Sequence, residues 1–219
     1  IYEPTAGQVL LDGKGIAEYG ASERAQRIGM IPQLHTPTFS YTVREMVLMG
    51  RSPHLGLFGA PGVEDHSVVD EALETVGLVD LQHRPYTQLS GGEQQLVLIA
   101  RGLAQKCDIL LMDEPSAHLD LSNQYRVLEM IDQLARQGLS FIISSHSPNN
   151  ALAYANRVLL LQKGRVMAYG KLEETLTEPL LSAAYGLRTE VIYKEENGAT
   201  TPRAILPRRP LVVQPQSLE

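Results

Sequence analysis

The run Leu89-Ser90-Gly91-Gly92-Glu93-Gln94-Gln95 puts a hydroxyl and two residues without side chains where a helix would begin. Ser90 and Glu93 have the spacing of a capping box, in which each side chain satisfies the other's backbone amide. The same helix start has a second use. First-turn amides and the positive end of the helix dipole attract anions, and glycine lets a phosphate come close to the backbone. Ser90, Gly91 and Gly92 are therefore candidate contacts for a nucleotide phosphate. Further on, Ile109-Leu110-Leu111-Met112 delivers Asp113 and Glu114 to the end of an apolar run, with Pro115 next. The carboxyl edge of an open α/β sheet is where such sheets bind ligands. One carboxylate there can hold Mg2+ through its water shell while its neighbour orients or deprotonates an attacking water. The plainer alternative is an acidic strand end facing solvent. Pro115 disfavours the helical region for Glu114, so an extended backbone is expected.

Three more polar residues fall at the ends of elements. Gln33 follows the strand-like run Ile28 to Ile31 and Pro32, where its amide could meet a ligand at the same sheet edge or simply be solvated. His146 follows Phe141-Ile142-Ile143-Ser144-Ser145, and its imidazole can hydrogen-bond a phosphate or serve as a turn residue. Asp120 precedes an apolar-periodic segment and reads as its N-cap. The G-x-x-x-x-G-K-[ST] phosphate loop occurs nowhere in the 219 residues.

Positioning these groups needs a sheet with helices. Gln8 to Asp12, Ile28 to Ile31, Ile109 to Asp113, Phe141 to Ser145 and Val158 to Gln162 read as short strands, several of them apolar enough to be buried on both faces. Leu121 to Gln137 places Val127, Ile131 and Leu134 at helical spacing before Gly138, and Ser147-Pro148 opens another helix. This alternation favours a parallel α/β sheet. From about Thr38 to Gln105 the pattern is helical instead. Thr42-Val43-Arg44-Glu45 is a capping box, and Val69, Leu73 and Val76 form an apolar stripe ending at Gly77. Between these helices, Arg51 to His54 and Gly59 to Gly62 read as parts of a long loop. Near the end, Glu190 to Tyr193 and Arg203 to Leu206 flank Asn197-Gly198 as a hairpin, and Pro207, Pro210 and Pro215 mark a tail.

Composition narrows the class. At 43% apolar and 20% charged the chain can bury a sizeable core, and a net charge of -6 argues against a general nucleic-acid binder. One cysteine, Cys107, excludes an internal disulfide framework and suits a reducing compartment, with core packing as its role. No apolar run approaches the roughly 20 residues that span a bilayer, so a membrane connection is expected through a partner. The start at Ile1 lacks both a methionine and a signal-peptide pattern, so a processed, trimmed or partial chain is expected.

The order Gln33, Leu89-Ser90-Gly91-Gly92-Glu93-Gln94-Gln95, Ile109 to Pro115, Ser116 to Asp120 and His146 resembles the ATP-binding-cassette (ABC) ATPases, over residues 1 to about 185. In that family these are the Q-loop, the signature motif, Walker B with its catalytic glutamate, the D-loop and the switch histidine. The resemblance implies a P-loop NTPase (RecA-like) α/β core with a parallel sheet and an inserted helical subdomain. Residues 1–37 and 106–186 would form the core, 38–105 the helical signature subdomain, and 187–219 a hairpin and tail. Thr5 to Gly13 looks like the segment after the Walker A helix, so Walker A would lie before Ile1, and residues 1–219 alone would be inactive. ATP and Mg2+ are the implied cofactors. Asp113 and Gln33 would serve the metal, Glu114 the attacking water, and Gln33 and His146 the γ-phosphate. Ser90, Gly91, Gly92 and Asp120 would bind nucleotide, Ser90 and Gly92 doing so across a homodimer. Gln94 and Leu96 depart from the family, where these positions are often basic.

Tyr41 to Gly56 is similar to ATPases of importers for iron-siderophores, haem, vitamin B12 and molybdate or tungstate. The implied partners are transmembrane permease subunits and, through them, a substrate-binding protein, at the cytoplasmic face of the inner or plasma membrane. No nucleic acid is expected. Two alternatives differ in class. A non-transport ABC ATPase of DNA maintenance would carry long heptad coiled coils, and no sustained heptad pattern lies between Gln33 and Ser90. A truncated, non-catalytic interaction module would keep the signature but hold no ATP.

Overall fold

The computed structural model describes residues 4–33, 39–56, 59–196 and 199–208. The chain divides into two compact units, Ile1–Ser144 and Ser145–Glu219.

The first unit opens with β1 (Leu10–Leu11) and β2 (Lys14–Gly15), paired antiparallel, so the strand expected over Gln8 to Asp12 is reduced to two residues. Asp12 and Gly13 both have positive φ, which turns the chain back immediately. Helix α1 (Ala21–Arg27) leads into β3 (Ile28–Ile31). Arg27 at its end pairs with both Asp12 and Asp108, tying the opening ribbon to the sheet.

The expected helical insertion is present. Helix α2 (Val43–Leu48) starts at the Thr42 capping box, where the Thr42 side chain accepts from the Glu45 amide. Arg51 to His54 form no loop but belong to a 3-10 turn, Met49–His54. The cause is a set of outside anchors. Ser22 and Gln26 of α1 donate to the Pro53 carbonyl at 3.0 Å each, and the His54 ring bonds the Gln105 carbonyl at 2.7 Å. Helix α3 (Val63–Val76) ends on Gly77 in the left-handed region at φ 71°, which glycine adopts without penalty. Helix α4 (Gly91–Ala104) packs against both α2 and α3. Val43, Met46, Val47, Val69, Leu73, Leu96 and Ile99 are at most 1% exposed. Each such burial contributes roughly 1.5–3 kcal/mol, which holds the three helices together.

Strand β4 (Ile109–Asp113) lies between β3 and β5 (Ser140–Ser144), all parallel, with α5 (Leu121–Arg136) crossing from β4 to β5. Side chains alternate across a strand. Ile31, Leu110 and Met112 are buried on one face, where Leu110 and Ile31 fit closely against Gly102 of α4. Met30, Leu111 and Ile142 stand in one cross-strand row, with Met30 and Ile142 each 64% exposed. The expectation of strands buried on both faces is thus met on one side of β3 and β4 only.

The second unit begins with α6 (Pro148–Tyr154), capped by Ser147 with Pro148 in the first turn, as the sequence indicates. Strand β6 (Arg157–Gln162) does not join the parallel sheet. It pairs antiparallel with β7 (Arg165–Lys171) through the tight turn at Lys163 and Gly164, both at positive φ. After α7 (Leu172–Thr175) and α8 (Glu178–Tyr185), strands β8 (Thr189–Glu196) and β9 (Ala199–Pro207) form the expected hairpin. Pro207 closes β9 rather than starting a tail, while Asn197-Gly198, Pro210 and Pro215 lie outside the described residues. Leu176, Leu181, Val191 and Ile205 form the core of this unit, with Ala151 and Leu152 of α6 against it.

Candidate functional site

Ser90 is the N-cap of α4, and the capping box is complete. The Ser90 amide and hydroxyl both donate to the Glu93 carboxylate at 2.8 Å, and the Ser90 hydroxyl accepts from the Glu93 amide at 3.4 Å. These donors hold the Glu93 carboxyl below the ordinary glutamate range, the Ser90 amide contributing most. The first intrahelical bond runs from the Gln94 amide to the Ser90 carbonyl. The Gly91 and Gly92 amides thus have no carbonyl of α4 to serve, which leaves them suited to an anion. Gln94 supports this turn from behind, its side chain donating to the Tyr86 and Leu89 carbonyls at 3.3 and 3.2 Å. Leu96 is fully buried. At these two departures from the family pattern, neutral bonds and packing stand where basic side chains are usual.

Gly91 is exposed and Gly92 is buried. A Cβ on Gly92 would lie 2.5 Å from Asn123 Cγ and 2.9 Å from its Cβ, with Oδ1 closer still. Asn123 is fixed in that place. Its amide N–H donates to Asp120 Oδ1 at 2.9 Å and its side chain to Asp120 Oδ2 at 2.7 Å. Asp120 is therefore the N-cap of α5, and its carboxyl is held below the usual aspartate range, chiefly by the Asn123 amide. Ser90, Gly91, Gly92 and Asp120 are brought together, with Asn123 as the link that the sequence reading missed. A half-buried asparagine three residues after an N-cap aspartate is the signal that could have found it.

Asp113 and Glu114 stand at the carboxyl end of β4, Asp113 exposed and Glu114 half-buried. Glu114 is not extended. Its φ is +48°, which overrides the bias imposed by Pro115. The reason lies in β5, where the Ser144 carbonyl and hydroxyl both accept from the Glu114 amide at 3.2 Å. The Ser144 hydroxyl also donates to Asp113 Oδ1, so one side chain orients both acidic residues. Ser144 is the second residue missed, concealed by its place at the end of an apolar strand. The turn continues through the Ala117 amide, which donates to the Glu114 carbonyl, while Pro115 and Ser116 are buried.

The register places Ile31 beside Met112, so Gln33 and Glu114 leave the same sheet edge two residues beyond that pair. Gln33 is half-buried. His146 belongs to the second unit, exposed, two residues past β5, with its carbonyl accepting from the Tyr185 hydroxyl at 3.1 Å. Oxygen donors from Asp113, Glu114 and Ser144 match the hard-ligand chemistry of a Mg2+-nucleotide. Among the described residues no group of three or more His, Cys, Asp or Glu side chains could hold a metal ion, so phosphate oxygens would complete any such shell. Among the described residues no helix is long and apolar enough to cross a membrane.

A parallel sheet presenting two carboxylates at its carboxyl edge, with a separate helix start offering glycine amides, is an arrangement suited to a nucleotide with its metal. The ABC transporter family matches residues 1–117, and the chain belongs to that family. Among relatives, the hemin import ATP-binding protein HmuV of Rhodococcus jostii is 41% identical over 204 residues, covering 93% of this chain and 68% of that protein. The molybdate import ATP-binding protein MolC of Haemophilus influenzae is 40% identical over 180 residues, covering 80% and 71%. A solved metal-chelate type ABC transporter in an inward-facing conformation superposes with a TM-score of 0.78 at 36% identity, covering 84% of this chain and 72% of that one. Hemin and molybdate relatives stand at nearly equal identity, so overall likeness does not select a cargo.

Proposed function

We propose that this chain is the ATP-binding and ATP-hydrolysing subunit of a bacterial importer for an iron chelate, haem, cobalamin, molybdate or tungstate. It works as a homodimer bound to permease subunits at the cytoplasmic face of the membrane, and a substrate-binding protein delivers the cargo. The observation that carries this reading is the pair of preorganised ends: Ser90 to Gly92 locked to Asp120 through Asn123, and Asp113 with Glu114 locked together through Ser144. Residues 38–105 act as the signature subdomain, 1–37 and 106–186 as the RecA-like core, and 187–219 as an appended C-terminal element.

Asp113 and Gln33 hold Mg2+, which would neutralise phosphate charge when bound. Glu114 orients the attacking water and accepts its proton. Gln33 and His146 contact the γ-phosphate of the chain's own nucleotide. Ser90, Gly91, Gly92 and Asp120 bind nucleotide, Ser90 and Gly92 closing on that of the partner subunit. ATP binding draws the subunits together and moves the permease, and hydrolysis resets them.

Residues 1–219 contain no phosphate loop of the G-x-x-x-x-G-K-[ST] type. In isolation they are expected to show no ATP turnover above a Glu114→Gln control. Robust, Glu114-dependent hydrolysis by these residues alone would refute that expectation. In the importer, loss of ATP-dependent uptake in the Glu114→Gln variant tests the wider reading, and undiminished uptake refutes it.

A further inference from the structure

Strand β9 reaches back to the segment that carries His146. Ile205 of β9 is paired with Val191 of β8, and it is only 5% exposed. Its backbone N–H donates to Asn149 Oδ1 at 2.7 Å, and its carbonyl accepts from Asn149 Nδ2 at 3.1 Å. An asparagine amide offers the same donor and acceptor as a peptide group. Asn149 therefore meets β9 as a one-residue strand, satisfying two backbone groups that burial would otherwise orphan. Asn149 lies in the first turn of α6, three residues after His146, and Ala151 and Leu152 seat the same helix on the Leu176, Leu181, Val191 and Ile205 core. A second anchor acts on His146 itself, through the bond from the Tyr185 hydroxyl of α8 to its carbonyl.

We propose that Asn149 and Tyr185 are positioning residues for His146, and that α8 with the β8–β9 hairpin forms a brace that fixes where this histidine is presented. The inference rests on the reading of His146 as a γ-phosphate contact. Two bonds, one to its own carbonyl and one three residues on, restrain the backbone from which the imidazole projects. A misplacement of about 1 Å at a reacting centre can cost roughly 100-fold in rate, so such a brace has catalytic weight without touching the nucleotide.

The test reads His146 directly. In the full 219-residue chain, labelled histidine is followed by NMR at fixed pH in the Asn149→Ala and Tyr185→Phe variants. Both are expected to shift the His146 ring resonances, and Asn149→Ala to speed amide exchange at Ile205 about tenfold, the equivalent of one lost hydrogen bond. Tyr193→Ala, at a 56% exposed side chain of the same hairpin, should leave His146 unmoved. Tyr185→Phe keeps the ring and removes only the hydroxyl, so it reports even where Asn149→Ala fails to fold. In the assembled transporter, both variants should lower kcat for ATP at least tenfold with KM within twofold. His146 resonances that coincide with those of the parent in both variants, or unchanged kcat once they have moved, overturn the proposal. Separately, His146→Ala with full turnover would remove the γ-phosphate reading while leaving the brace, as measured by resonance, in place.

Discussion

Gly92→Ala is the substitution whose outcome the structure fixes most closely. The new methyl would sit 2.5 Å from Asn123 Cγ and 2.9 Å from Asn123 Cβ. Asn123 cannot swing aside without giving up its bond to Asp120 Oδ2. Overpacking of this kind costs about 1–3 kcal/mol. Against that, alanine is about 1 kcal/mol better than glycine in a helix, and less in a first turn. The clash wins by about 1 kcal/mol, a fall of about 0.5 M in the urea midpoint for an m-value near 2 kcal/mol/M. Asn123→Gly removes all three contacting atoms, so in that background the sign should reverse and Gly92→Ala become neutral or stabilising. Far-UV circular dichroism of the four proteins in urea measures the coupling, expected at about 1–2 kcal/mol. A Gly92→Ala penalty that is the same in both backgrounds would refute the steric link between the signature turn and α5.

Ser144→Ala removes the hydroxyl that donates to Asp113 and accepts from Glu114, and should lower transporter ATP turnover about tenfold, the effect of one hydrogen bond of about 1.4 kcal/mol. Steady-state kinetics at saturating ATP would measure it. Arg51→Ala should destabilise the packing around α4, because Arg51 is 6% exposed and donates to the Ala104 carbonyl at 2.8 Å and to Asp65. Orphaning that buried carbonyl alone costs about 1–3 kcal/mol, and thermal denaturation should show the loss. Glu93 carries a pH dependence. Its folded-state pKa is depressed, so the stabilisation is full above its unfolded value of about 4.3 and is lost as pH falls through the lower folded value. First-turn amide protection in α4 should therefore fall as the pH drops below the unfolded value of about 4.3 and through the lower folded one, and Glu93→Gln should flatten that dependence.

Which parts of this were readable beforehand follows from how local each cause is. Caps at Thr42, Ser90, Asp120 and Ser147 are settled within four residues, so the sequence displays them, and β3 and β4 fall where their apolar runs indicate. The φ of Glu114 is set from β5, thirty residues away in the chain, and outweighs the neighbouring proline. Likewise, no pattern within Arg51 to His54 announces the bonds from α1 and α4 that wind it. Strand β7 was not anticipated because Arg165–Lys171 lacks an alternating apolar pattern. An apolar run such as Ile28–Ile31 also records that burial is possible on both faces, not that both are covered, and Met30 shows the difference.

The brace between Asn149 and Ile205 joins residues separated by 56 positions. A ribosome adding about 5–20 residues per second needs roughly 3–11 s to cover that interval. Throughout that time the segment holding His146 lacks the two bonds between Asn149 and Ile205, although the Tyr185 hydroxyl can already reach the His146 carbonyl. A chain released between Tyr185 and Ile205 would thus hold its histidine by one anchor instead of two.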